Sequence, residues 1–393
     1  MEKGLLMLAW VFLISMLLQK SELETTEHII CDNYSIKRST KKYAVLLFLV
    51  PLIFTGFKTA FADTESYIAT FNKLATQIPF EEALKRYPNN QLFYALMYGF
   101  KKFISSDATT FFFTLTLIQS ILLVGTLRNF SENLGISIYV FVASAMVFSW
   151  MCNGIRQFLA VTILFALTNC FLKNKWFVYL PAALFLGGLT PFFKFMGWDQ
   201  PFWLFTGIHQ SALIVIPIFF IVRGKALTKK VWILLVALLV ITMLGLLDTF
   251  LESSTQNTMY ANDLSYISND KGTNPIRFLV SLGPIFLVIA KQETILKDEP
   301  PAIINLSINM SFVSSTLYLA SVFTSGIFIG RLPIYCELYS LILIPWLINH
   351  MYEKSRKYLT ASLYILYFLY FLYQIFIAWS DMVYTVKVFG LEF

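Results

Sequence analysis

The sequence predicts an all-α, polytopic integral membrane protein with about twelve transmembrane helices, and three observations carry that reading. Of 393 residues, 57% are hydrophobic and only 13% are charged, whereas a soluble domain carries about 25% charged residues. Many apolar runs approach the roughly 17–25 residues that cross a bilayer as helix. Aromatic residues make up 17% of the chain, with 39 Phe and 20 Tyr, a composition suited to lipid-facing helices with interfacial belts. The net charge of +7 then records topology rather than affinity for nucleic acid, and no nucleic-acid partner is expected.

The candidate spans, in order, are 4–18, 43–60, 110–127, 136–152, 157–172, 176–190, 207–222, 231–247, 276–290, 302–322, 334–349 and 359–380. The first follows Met1-Glu2-Lys3 and has the length of a signal sequence, but Gln19-Lys20-Ser21-Glu22 after it offers no small-residue cleavage site, so it reads as a retained span. Seventeen of the thirty basic residues fall in one alternating set of short loops, most densely from Arg223 to Lys230 and again at Lys354, Arg356 and Lys357. That side is cytoplasmic by the positive-inside rule, and both termini face outward. The outer side carries two long loops, 61–109 and 248–275. Within the first, 71–86 is polar and helix-like, Pro88-Asn89-Asn90 breaks it, and 92–104 is too short to span, so it reads as an interfacial helix. The second reads as a polar flap. No repeat divides the chain, which is expected to form a single transmembrane domain.

Four cysteines, Cys31, Cys152, Cys170 and Cys336, show no metal-ligand spacing; neither a metal site nor a disulfide framework is expected. The polar residues that stand out gather on the outer side. Arg156 interrupts an apolar run from 136 to 172, with Asn153-Gly154 beside it able to turn the chain. A guanidinium cannot be neutralised and is costly in a bilayer unless it meets an interface or an anion, so Arg156 is expected at a hairpin tip. His209 opens the seventh span, Arg277 the ninth, and Arg331 ends a turn containing Gly326 and Gly330. Asp63, Glu65 and Arg86 lie in the first outer loop. Arginines and a histidine at one membrane face point to an anion site at headgroup depth, and a lipid diphosphate suits bidentate arginine. Asp63 or Glu65 could position or deprotonate a hydroxyl. Each also has a bland alternative. Arg156 can snorkel to lipid phosphate, while His209, Arg277 and Arg331 can simply flank spans. Asp63 and Glu65 can be solvated loop carboxylates, and the hydroxyl-rich run 311–321 helix–helix glue.

Four short stretches, in order, resemble the EpsG family of Wzy-like exopolysaccharide and capsule polymerases. They are Asp63-Thr64-Glu65-Ser66-Tyr67, Asn153-Gly154-Ile155-Arg156-Gln157-Phe158-Leu159-Ala160, Ile208-His209-Gln210-Ser211-Ala212-Leu213 and Arg331-Leu332-Pro333-Ile334-Tyr335. The likeness runs from about 42 to 350. It departs from the family where Asn89-Asn90-Gln91-Leu92 replaces a Glu-Pro-Gly-like element, and in the divergent beginning before residue 42. The resemblance implies a polymerase in the bacterial cytoplasmic (inner) membrane, acting on undecaprenyl-diphosphate-linked oligosaccharides at the outer leaflet, in exopolysaccharide, capsule or O-antigen biosynthesis. Arg156, Arg331, His209 and Asp63 are then expected to be catalytic, with Gln157, Tyr67, Gln210, Tyr335 and Arg277 binding substrate. The lipid diphosphate is already activated and no glycine-rich phosphate loop is present, so no cofactor is expected. Membrane lipid, a flippase and a chain-length regulator are the expected partners. The competing reading is a transporter or flippase of lipid-linked oligosaccharides; against it, transporters place polar sites near the midplane, often between inverted repeats.

Overall fold

The computed structural model describes residues 2–18, 24–31, 34–201, 203–243, 272–388 and 391–392. It is 76% helical with almost no sheet, an all-α architecture, and each of the twelve predicted segments contains helix. Among the described residues, Ala108–Phe130, Ala302–Phe323 and Glu353–Ala378 are each long and apolar enough to cross a membrane. Three bent pairs raise that number to six if each is one span. The protein is a membrane protein.

The chain divides into two compact units. One comprises Met1–Ile29, Ser35–Leu213 and Ser355–Phe393; the other comprises Ile30–Tyr34 and Ile214–Lys354. In the first unit, Ala108–Phe130 begins where Asp107 accepts the backbone N–H groups of Thr109 at 3.2 Å and Thr110 at 2.8 Å, satisfying donors that an uncapped helix leaves open. At 23 residues it is about 34 Å long, enough for a hydrocarbon core of about 30 Å. Leu134–Ala143 is buried along its whole length, which explains why it shows no polar face. It cannot continue straight, because Ala145 adopts φ 59°, a left-handed conformation that L-residues avoid. The chain bends by 75° into a π-turn, Val147–Asn153. The predicted span 136–152 is therefore a broken helix ending at the Gly154 turn. Ile155–Ala166 starts immediately after it.

Two further corrections concern short strands. The predicted span 43–60 ends as helix at Gly56, and Lys58–Ala60 forms a strand antiparallel to Thr385–Val388, itself paired with Leu391–Glu392. The predicted basic loop 19–42 contains two paired strands, Glu24–Cys31 and Tyr34–Ser39. The stretch 61–109, predicted as the first outer loop, follows the expected pattern more closely. Thr64–Lys73 and Phe80–Arg86 are short helices, Pro88–Asn90 is a 3-10 turn, and Gln91–Phe103 buries Phe93, Tyr94, Met97 and Phe100 along one face. Leu96, Phe103 and Ile104 are exposed on or beside the same helix, as an interfacial helix requires. The final helix, Arg356–Tyr373, exposes Tyr358, Ile365, Leu366 and Leu369 by more than half, an apolar surface suited to lipid.

The second unit packs around Ala302–Phe323, most of which is buried. Two asparagines on it hold the basic turn before Lys229–Met243. Asn305 accepts from Ala226 N–H at 2.7 Å; Asn309 accepts from Leu227 N–H at 3.1 Å and donates to the Val222 carbonyl at 3.0 Å. Of the hydroxyl run expected to join helices, Ser315 donates to the Ser281 carbonyl at 2.9 Å and Ser314 to that of Pro333 at 3.4 Å. Ser311 and Thr316 instead bond within their own helix. The expected flap at 248–275 falls, up to residue 271, outside the described residues.

Candidate functional site

Arg156 lies in the first turn of Ile155–Ala166, half-buried, directly after the Gly154 break. Gly154 is required there, since a Cβ would come within 2.8 Å of the Trp150 ring. Arg156 Nε donates to the Tyr67 hydroxyl at 2.8 Å. The guanidinium carbon is 5.5 Å from the Tyr67 ring centroid and 5.9 Å from those of Phe93 and Tyr94, distances at which the ring faces attract a cation. Tyr67 is brought there by Thr64–Lys73, whose first residue donates from its hydroxyl to the Cys152 carbonyl at 3.3 Å and whose Phe71 is fully buried. Asp63 and Tyr67 lie one helical turn apart: Tyr67 N–H donates to the Asp63 carbonyl at 3.1 Å. The Asp63 side chain makes no capping bond and is exposed, as is Glu65.

Asn90 completes the setting. Its amide is satisfied in one orientation: the nitrogen donates to the carbonyls of Asn89 at 3.2 Å and Ile208 at 3.1 Å, and the oxygen accepts from Arg156 Nη1 at 3.0 Å. Arg156 is thus joined through one amide to the backbone immediately before His209. That backbone is itself tied down by two helix ends. The N–H groups of Gly207, Ile208 and His209 donate to the carbonyls of Phe185 and Leu186 at the end of Trp176–Gly187, at 2.7–3.1 Å. Leu92 and Phe93, at the start of Gln91–Phe103, donate to the Gly207 carbonyl at 3.1 and 3.4 Å. Both sets are the end groups that a helix cannot pair internally. Gly207, at φ 82°, allows this convergence; a Cβ there would lie 2.5 Å from the Asn89 oxygen.

His209 Nδ1 lies 2.7 Å from the Ser211 hydroxyl and 3.4 Å from the Ser211 N–H. An N–H can only donate, so toward the Ser211 backbone Nδ1 acts as the acceptor. Gln210 is exposed, and Gln157 is buried in the Ile155–Ala166 helix. Arg86 forms an exposed i,i+4 pair with Glu82 at 3.8 Å, a contact of little energetic weight.

The second unit holds the other predicted residues. Arg331 ends the 3-10 turn Ile329–Arg331 and is half-buried; Tyr335 is buried in the helical turn that follows. This turn packs on the segment leading into Pro275–Ala290: a Cβ on Gly330 would meet the Thr273 hydroxyl, and one on Gly326 the Gly272 backbone at 2.8 Å. Arg277 therefore starts its helix beside the turn that carries Arg331. The Arg277 guanidinium carbon is 5.1 Å from the Tyr318 ring centroid, and the Tyr318 hydroxyl donates to Glu337 Oε2 at 2.7 Å. Among the described residues, no three His, Cys, Asp or Glu side chains converge as a metal site would require.

The structure brings Arg156 and Tyr67 together and places His209 one residue from the same network. Asn90 and Glu337 were not expected. Asn90 stands where the resemblance has a gap; Glu337 had a visible signal, a carboxylate inside the apolar run 332–348. Comparison with curated proteins and with solved structures gives no match. The EpsG family profile matches residues 41–385, starting after the divergent beginning and extending past residue 350 to the strand that pairs with Lys58–Ala60. This chain belongs to the EpsG family, a family of Wzy-like polymerases.

Proposed function

We propose that the chain joins oligosaccharide repeat units carried on undecaprenyl diphosphate, at the outer leaflet of the bacterial cytoplasmic membrane, through a single domain of about twelve spans. A hydroxyl of the incoming lipid-linked unit attacks the anomeric carbon of the growing chain. A carbon–oxygen bond forms there as the bond to diphosphate breaks. Undecaprenyl diphosphate leaves with the electron pair, and the hydroxyl proton passes to a base or to water. The largest catalytic need is to stabilise charge on the departing diphosphate.

The observation that supports this most is the fixed guanidinium of Arg156. Its Nε and Nη1 donate to Tyr67 and Asn90, two uncharged partners that hold the guanidinium in place. A guanidinium offers five N–H donors in a planar fork, and holding two of them sets the fork's direction before substrate arrives. In this reading Arg156 and Arg331 bind diphosphate, with Arg277 assisting, and His209 orients phosphate or handles the acceptor proton. Asp63 with Tyr67 engages the acceptor sugar, and Gln157, Gln210 and Tyr335 contribute to substrate binding. A flippase and a chain-length regulator are the proposed protein partners, and the product enters exopolysaccharide, capsule or O-antigen.

The test is the lipid-linked glycan profile of a strain lacking the protein. Single repeat units on lipid at the outer leaflet are the expected result. Units retained at the inner leaflet would replace this reading with that of a flippase.

A further inference from the structure

We propose that Glu337 is a positioning residue: held by Tyr318, it orients Arg277 toward the lipid diphosphate. This rests on the diphosphate reading above. A carboxylate within an apolar helical segment is expensive, and such groups are found paired and functional. Glu337 sits at the end of Ile334–Glu337, six residues after Arg331 and half-buried. Its Oε2 accepts the Tyr318 hydroxyl at 2.7 Å. The face of that same Tyr318 ring lies 5.1 Å from the Arg277 guanidinium carbon. One tyrosine therefore bridges the two side chains, its hydroxyl on Glu337 and its ring under the Arg277 guanidinium. Glu337 is also fixed from its backbone, which donates to Pro333 at 2.8 Å and accepts the Ser340 hydroxyl at 2.7 Å. Glu337 has little freedom, so the Tyr318 ring that it holds is fixed under the Arg277 guanidinium.

A purely structural pair makes a different forecast. Glu337→Gln keeps an oxygen for the Tyr318 hydroxyl and nearly the same volume, so the helices stay together while the charge is lost. If Glu337 orients Arg277 for diphosphate, Glu337→Gln weakens binding of undecaprenyl diphosphate in nanodiscs on the order of tenfold, the lower end of what losing an outer-shell orienting partner costs. Membrane abundance stays at wild type. Glu337→Asp, which keeps the charge, recovers part of the affinity. In an Arg277→Gln background, Glu337→Gln has no further effect, because residues acting as one unit are not additive. Undecaprenol and phosphatidylglycerol serve as control lipids and bind equally to all variants.

Wild-type affinity of Glu337→Gln for the diphosphate would overturn the proposal. So would an undiminished effect of Glu337→Gln in the Arg277→Gln background, which would make the carboxylate act on its own. Wild-type protein that binds undecaprenyl diphosphate no better than phosphatidylglycerol overturns this proposal and the diphosphate reading together, whereas selective binding with a silent Glu337→Gln overturns this proposal alone.

Discussion

Arg156 and Asn90, 66 positions apart in sequence, are joined by a hydrogen bond of 3.0 Å from Nη1 to the amide oxygen. The same amide donates to the Ile208 carbonyl at 3.1 Å, so one small side chain couples the arginine to the segment that carries His209. Asn90→Ala removes all three bonds of the amide and leaves the carbonyls of Asn89 and Ile208 without that donor. The expected cost is about 1–3 kcal/mol of stability, read as a lower melting temperature in detergent, with a parallel fall in polymer yield. An unchanged melting temperature and yield would show that the amide contributes nothing to the site.

Tyr67 serves Arg156 in two ways, by hydroxyl and by ring. Tyr67→Phe removes only the 2.8 Å bond to Nε, a charge-assisted bond worth roughly 1.5–3 kcal/mol. Tyr67→Ala removes the ring as well, adding about 0.5–2 kcal/mol of cation–π attraction. Polymer yield at matched abundance is expected to fall in the order wild type, Phe, Ala. Equal yields from the two variants would assign the whole effect to the hydroxyl.

Gly207 is the joint between two helix ends. Gly207→Ala combines a left-handed backbone at φ 82° with a Cβ 2.5 Å from the Asn89 oxygen. The strain of such a backbone alone is on the order of 1–3 kcal/mol. Thermal unfolding should show a loss of at least about 2 kcal/mol, accompanied by reduced activity because Asn90 shifts with Asn89. A variant that melts and polymerises like wild type would mean that the loop gives way without disturbing the site.

Orientation follows from the basic loops. Reporters fused after Lys230 and after Lys357 are expected to read cytoplasmic, and reporters within 255–270 external. A cytoplasmic reading for 255–270 would invert the protein and remove the outer-leaflet site.

Hydropathy marked where helices occur, because burial in lipid or protein selects apolar runs whatever the tertiary arrangement. The short helix Gln91–Phe103 was legible too, since Pro88 ends what precedes it and Lys101-Lys102 limits how deep it can sit. The bend at Ala145 was not, because nothing in Ala143-Ser144-Ala145-Met146 announces a left-handed residue. The strand Lys58–Ala60 was absorbed into an apolar run, as its partner lies more than 300 residues away at Thr385–Val388 and long-range pairing leaves little local trace. Arg156 stood out through its cost in an apolar run, and Tyr67 through the resemblance of the stretch that contains it. Asn90 carried no such mark. An amide after proline reads as turn filler, and only the fold places it on a guanidinium. Glu337 carried the same kind of mark as Arg156 but stood next to a more conspicuous arginine motif.

Arg156→Lys separates a guanidinium that grips a diphosphate from one that merely reaches an interface. Lysine supplies the charge and the reach that snorkelling needs. It cannot supply a planar fork with separate donors for Tyr67, Asn90 and a phosphate. Loss of one preorganised donor of this kind costs about 10²–10³ in rate. The measurement is the polymer profile of Arg156→Lys at matched membrane abundance, with Arg331→Lys beside it and Lys354→Ala as the control. Normal insertion, little or no long-chain polymer and accumulated single lipid-linked units are expected for both arginine variants, with Lys354→Ala close to wild type. Full-length polymer at normal yield from Arg156→Lys would contradict the diphosphate grip.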